Sequence, residues 1–299
     1  MRREPRSVTL LASLALLAMA ASWGSTFFLI HDLLDRIPVV DFLAVRFAIA
    51  SVTLVLVAPR AVGRLSPDKR NHAVVLGVLY GVAQIMQTTG LGHTPASVSG
   101  FITGLYVVCT PLFAALLLRS QITRMTWAAV LLALAGLSVL TLSGLSIGFG
   151  EAITFVAAMM YALHIVALGA WSTTRDAIGM ATVQIIVITV ICTVCALPGG
   201  IALPQTGGDW VSVGYMAVVA GGLAMLGQTW AQAHLDSTRS AIIMSMEPVF
   251  AAFFAVLLGG EGVTWRMLLG GPMVLAAMVI VELAPRRRRV EAEVPHLAV

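Results

Sequence analysis

Ten stretches of almost unbroken apolar residues account for most of this 299-residue chain, and a Pro-x-Phe-Ala-Ala core recurs inside two of them. The first copy is Pro111-Leu112-Phe113-Ala114-Ala115 and the second is Pro248-Val249-Phe250-Ala251-Ala252. A tryptophan opens the stretch that follows each copy: Trp127, 16 residues after Pro111, and Trp265, 17 after Pro248. An apolar helix of about 20 residues matches the hydrocarbon thickness of a bilayer. Duplicated membrane segments at corresponding places in two halves are the pattern of a transporter built from repeats.

Composition excludes a soluble domain. Apolar residues make up 59% of the chain and charged residues 11%, with a mean hydropathy of +0.95. That is too little charge to cover a water-facing surface. The expected architecture is an all-α membrane protein of ten transmembrane helices arranged as two inverted five-helix repeats. Charge, Pro and Gly clusters divide the spans at 8–30, 39–57, 73–91, 97–118, 126–143, 148–170, 180–197, 210–233, 240–258 and 265–283. The expected domains are a first repeat over 8–143, a second over 148–283 and a polar cytoplasmic tail over 284–299.

The formal charge of +4 is topological and marks no nucleic-acid surface. With the N-terminus inside, 15 of the 18 basic residues fall on the inner side, among them Arg2, Arg3, Arg6, Arg60, Arg64, Lys69 and Arg286 to Arg289. Arg36 and Arg266 fall outside, and Arg46 lies within a span. This bias predicts a multi-pass protein of the plasma (inner) membrane with both termini cytoplasmic. Met1-Arg2-Arg3 followed by an apolar run imitates a signal peptide, but the run continues to Ile30 and reads as a retained first helix.

Because the duplicated spans are the fourth and the ninth, each repeat holds an odd number of helices, and the second must enter the membrane upside down. The copies differ in detail. Ser99 precedes Pro111 by 12 residues and Ser240 precedes Pro248 by eight, so one helical turn separates the two halves.

Short motifs spread over residues 8–283 make the chain resemble the drug/metabolite transporter superfamily, in its EamA branch. They are Trp23-Gly24-Ser25, Arg46-Phe47, Gly100-Phe101-Ile102-Thr103-Gly104-Leu105-Tyr106 followed by Pro111, and Glu247-Pro248-Val249-Phe250-Ala251-Ala252 running on to Glu261. The resemblance implies an inner-membrane carrier of two inverted five-helix repeats that exports amino acids or other small metabolites. The chain departs from the pattern at Arg119-Ser120-Gln121, where the family's fourth span commonly closes on an acidic residue.

Candidate site residues follow from the cost of polar groups in hydrocarbon. Charge near the bilayer centre costs at least about 2.5–3.5 kcal/mol, so Arg46 and Glu247 must face protein or water. Arg46 reads either as a guanidinium for a substrate carboxylate or as a clamp on backbone carbonyls. Glu247 reads as a cation or proton carrier, or as a structural group. Tyr80, Gln84, Gln87 and Thr88 share a face of the third span, and Met225, Gln228 and Gln232 share a face of the eighth. A common wetted cavity explains both stripes, with interhelical hydrogen bonding as the alternative. Tyr161 and His164 lie in the sixth span, where His164 is a proton-relay candidate or a satisfied structural histidine. Trp23 and Tyr106 are aromatic walls or packing residues. Pro111 and Pro248 are expected kinks.

No cofactor or metal site is expected. Cys192-x-x-Cys195 has no second pair or neighbouring histidine and reads as two small apolar residues. Gly144-Leu145-Ser146-Ile147-Gly148 matches a nucleophile motif literally but falls in a short loop, without the strand-to-helix elbow the chemistry needs. The function expected is therefore not enzymatic. It is an exporter of amino acids or similar metabolites working by alternating access, with possible proton coupling and a possible homodimer. The alternatives are a multidrug or lipophilic-cation exporter and, after it, a channel or membrane scaffold.

Overall fold

The computed structural model describes residues 6–94, 96–141, 148–258 and 262–283. Glu261, Ser146 and the tail with Arg286 to Arg289 lie outside the described residues. Among the described residues every regular element is helical. In chain order these are α1 (Arg6–Gly24), α2 (Phe27–Leu34), α3 (Val39–Val57), α4 (Pro67–Leu91), α5 (Ala96–Gly104), α6 (Tyr106–Leu118), α7 (Arg124–Thr141) and α8 (Phe149–Trp171). They continue with α9 (Ala177–Ala196), α10 (Gly207–Ala217), a π segment (Val218–Leu223), α11 (Ala224–Gln232), α12 (Ser237–Met244), α13 (Glu247–Leu257) and α14 (Trp265–Leu283).

Among the described residues, six helical stretches are long and apolar enough to cross a bilayer: those of α1, α3, α4, α8, α9 and the continuous run from α10 through α11. Ile102–Leu118, Arg124–Val139 and Trp265–Ile280 form shorter apolar helices. Large aliphatic side chains point outward, with Leu56, Leu116 and Val211 each about three-quarters exposed. In a water-soluble protein such a surface would aggregate, whereas in lipid it is solvated.

Polar residues set the helix starts. Ser66 accepts from the Lys69 amide, with Pro67 at the first helical position of α4. At α8 the Glu151 carboxylate accepts from the Gly148 amide at 2.9 Å and from the Thr94 hydroxyl at 2.7 Å. Thr206 and Asp209 cap α10 reciprocally. Arg119 ends α6 with φ of 51°, the left-handed conformation that stops a helix. The position where the chain departs from the family pattern is thus a helix stop.

Three of the expected spans are interrupted. The first breaks between α1 and α2 at Ser25–Thr26, the fourth at Leu105 between α5 and α6, and the ninth at Ser245–Met246 between α12 and α13. Each break closes with an i to i−3 bond: Thr26 to Trp23 at 2.9 Å, Leu105 to Ile102 at 3.1 Å and Met246 to Ile243 at 3.2 Å. The latter two interruptions lie near the prolines expected to kink the fourth and ninth spans, but not at them. Helix α6 runs through Pro111, and the interruption lies before it. Pro248 is the second residue of α13, where a missing N–H costs no intrahelical bond.

Helix α4 packs against α8 and α9, α3 against α9, α7 against α14, and α1 against α11, α12 and α13. Gly24 explains one of these approaches. A Cβ there would stand 2.7 Å from the Ala251 amide nitrogen and the Glu247 carbonyl oxygen, so the end of α1 meets the start of α13 backbone to backbone. Gly77 and Gly81 face α9, while nothing lies within 4 Å of the corresponding point on Gly100. Gly104 does make a close approach, its corresponding point standing 3.0 Å from the Leu137 side chain of α7. Cys192 is buried and Cys195 exposed, and both are free thiols.

Candidate functional site

The broken helices converge. A cavity of about 70 Å³ is lined by residues on either side of each interruption: Trp23 and Thr26 from α1 and its break, Thr103 and Tyr106 from α5 and α6, and Met244 and Glu247 from α12 and α13. Continuous helices supply the rest of the wall. They contribute Arg46 from α3, Tyr80, Gln84, Gln87, Thr88 and Leu91 from α4, Tyr161, His164 and Ile165 from α8, and Gln228 from α11, with Ile30 from α2.

The polar stripe of α4 faces this space, its amides held by neighbours. Tyr161 donates its hydroxyl toward Gln87 Oε1 at 2.9 Å and Gln84 Oε1 at 3.2 Å. Gln87 in turn donates to Thr103 and Gln84 to Thr88, each at 3.2 Å. The Tyr80 ring stands edge-on to Tyr161 and to His164, with centroids 5.4 and 5.2 Å away.

Gln232, expected at the cavity wall, instead lies behind it. It is fully buried and donates to the Ile165 carbonyl at 3.3 Å, one helical turn from Gln228. Gly221, one helical turn before Met225, belongs to the π segment.

Arg46 is 4% exposed and spends part of its donor capacity on backbone. Its Nε donates to the Met216 carbonyl at 3.1 Å and one terminal nitrogen approaches the Ala220 carbonyl at 3.5 Å. The guanidinium also stacks over the Phe47 ring, 5.2 Å from its centroid. The π segment makes this possible. The Ala224 amide bonds to Val219 and Gly221, passing over Ala220. The Ala220 carbonyl accepts from the Trp23 indole at 2.8 Å as well as from Arg46. Ser25 completes the junction, its hydroxyl 2.6 Å from that of Tyr215.

Glu247 is partly buried on the cavity wall. Among the described residues, no side chain ion-pairs or hydrogen-bonds with it. His164 is engaged through Nε2, 2.8 Å from Gln184 Oε1. Because Gln184 donates its amide nitrogen to the Met180 carbonyl, the Oε1 atom must accept, and His164 carries its proton on Nε2.

Of the candidates read from the sequence, Trp23, Arg46, Tyr80, Gln84, Gln87, Tyr106, Tyr161, His164, Gln228 and Glu247 share this one wall. Pro111 and Pro248 stand outside it. Sequence reasoning missed Thr26, Ile30, Leu91, Thr103, Ile165 and Met244 as lining residues. Thr103 sits inside a motif already singled out and Thr26 directly follows one, while the aliphatic ones carry no signal in an apolar chain. Among the described residues, no group of three or more His, Cys, Asp or Glu side chains is placed to hold a metal.

Two stretches of the chain, residues 10–142 and 148–283, match the EamA-like transporter family. The chain belongs to that family. Its relatives include an "Uncharacterized transporter" of Archaeoglobus fulgidus, 28% identical over 279 residues that cover 92% of this chain and 86% of the relative. The "Uncharacterized inner membrane transporter YedA" of Escherichia coli K12 is 23% identical over 278 residues, covering 90% of each. A solved crystal structure superposes with a TM-score of 0.77 at 17% identity, covering 90% of this chain and 95% of that one, a likeness of fold alone. As an EamA-like transporter the protein is a multi-pass membrane protein that moves a small molecule through lipid, and its relatives are named as transporters.

Proposed function

We propose that the protein is an inner-membrane carrier that exports amino acids or similarly small polar metabolites by alternating access, with this cavity as its transport site. The observation that carries the reading is the meeting of three helix interruptions at one polar cavity. Broken helices deep in a bilayer are tolerated only where the freed backbone is buried in protein or lines a wet space. Here they also supply points about which the wall can move. A volume of about 70 Å³ is well below the 300–1,000 Å³ typical of drug-sized ligands, which favours a small solute over a bulky lipophilic cation.

In this reading ten spans form two inverted repeats, 8–143 and 148–283. Support comes from the duplicated Pro-x-Phe-Ala-Ala cores, from the two separate family matches, and from interruptions in both the fourth and ninth expected spans. The basic-residue bias supports cytoplasmic termini. Glu247, the one carboxylate among the described residues of the cavity wall, is the group assigned to the coupling proton.

Substrate-induced counterflow tests the reading. Proteoliposomes preloaded with a pooled amino-acid and metabolite panel should accelerate uptake of the transported labelled member. A channel would show no trans-stimulation, and its absence for every member would overturn the carrier.

A further inference from the structure

We infer that the cavity selects its solute through an ammonium group, docked among Glu247, Gln228 and Tyr106, so that the transported molecule is a small protonated amine or an amino acid held by its amine end. This rests on the carrier reading of the same cavity and adds which pole of the solute is recognised.

The argument is a count of donors and acceptors on the wall. Gln228 is 1% exposed, and its Oε1 has no partner among the described residues. Its orientation is fixed from a distance. The Ile165 carbonyl can only accept, so Gln232 must present Nε2 to it and Oε1 to Gln228. Gln228 must then give Nε2 to Gln232, and its own Oε1 is left over. The Tyr106 hydroxyl, on a side chain 5% exposed, is likewise without a partner.

Glu247 adds a carboxylate with no hydrogen-bonding or ion-paired side chain among the described residues. Unpaired buried polar atoms are costly, and these three all can accept.

The donors on the same wall are largely committed. The Trp23 indole donates to Ala220, Gln84 to Thr88, Gln87 to Thr103 and Tyr161 to the two α4 glutamines. Arg46 is the one cation among the described residues of the wall, and a solute carboxylate would compete for it with the Met216 and Ala220 carbonyls. A site with surplus acceptors and one negative charge complements a primary ammonium, which brings three N–H donors and a positive charge.

The test uses the full-length protein in lipid nanodiscs and three probes of one carbon skeleton: leucine, isoamylamine, which lacks the carboxylate, and isocaproate, which lacks the amine. Ligand-induced rise in Tm is read for each. Leucine and isoamylamine should raise Tm and isocaproate should not. Gln228→Leu should weaken isoamylamine at least about tenfold, the scale of a hydrogen bond to a charged group.

Tyr106→Phe guards against a folding defect, since it removes only an unpaired hydroxyl. It should melt no lower than the parent and still weaken the amine by about tenfold. Stabilisation by isocaproate as strong as by isoamylamine, by leucine alone, or an unchanged amine affinity in Tyr106→Phe would overturn the inference and leave the carrier standing. Stabilisation by none of the three would overturn the inference as well, while the carrier reading stands or falls by the counterflow panel.

Discussion

The indole nitrogen of Trp23 donates to the main-chain carbonyl of Ala220 across 2.8 Å, joining residues 197 positions apart in sequence. The bond ties the interruption after α1 to the π segment, where the Ala224 amide bonds to Val219 and Gly221 and not to Ala220. Trp23→Phe keeps an aromatic body and deletes the donor. Thermal melts should show a loss of about 0.5–1.5 kcal/mol, with counterflow reduced further because the cavity wall loses an anchor.

Arg46 reaches two carbonyls of one backbone stretch through different nitrogens. A lysine ammonium is a single point of charge and cannot reproduce that fork. Arg46→Lys should therefore lower Tm by several degrees and transport by about an order of magnitude, despite the conserved charge. A melt and counterflow rate equal to those of the parent would show that the carbonyl clamp has no role.

Gly24 and Gly100 make a matched pair of substitutions. At Gly24 a methyl group would press on the α13 backbone at 2.7 Å, and Gly24→Ala should cost about 1–3 kcal/mol through overpacking. Among the described residues Gly100 meets nothing within 4 Å, so Gly100→Ala should be neutral or stabilise by about 0.5–1 kcal/mol through helix propensity. Chemical denaturation in a single detergent would rank the two variants.

Glu247→Gln separates coupling from transport. If the carboxylate carries the proton, the variant should lose acceleration by an imposed pH gradient across the vesicle, while counterflow, which needs no gradient, should slow only as far as solute binding at the wall weakens. Acceleration that survives the substitution would assign coupling elsewhere.

The sequence made some parts of this structure legible and hid others, for physical reasons. Helices α3 and α14 coincide with the expected spans 39–57 and 265–283, because Pro38 and Thr264-Trp265 mark starts that no apolar run obscures. The start of α4 lies six residues earlier than the expected 73, since its Ser66-Pro67 cap is embedded in a charged loop.

Interruptions at Leu105 and Met246 were invisible to hydropathy, which does not change across them. The prolines signalled disturbance but not its position. The stripe of glutamines on α4 was readable from spacing alone. The clamp on Arg46 was not, because its partners are backbone atoms whose availability depends on a helix irregularity about 170 residues away.

That irregularity also fixes the angular phase of everything after it. A six-residue π segment advances the chain less per residue than the ordinary 3.6-residue turn. Deleting one residue between Val218 and Leu223 would rewind α11 by roughly 100°. Gln228 would swing off the wall while the capped mouth of α10 stayed where it is. One surplus residue therefore acts as the alignment key between the rim of this helix and its interior face.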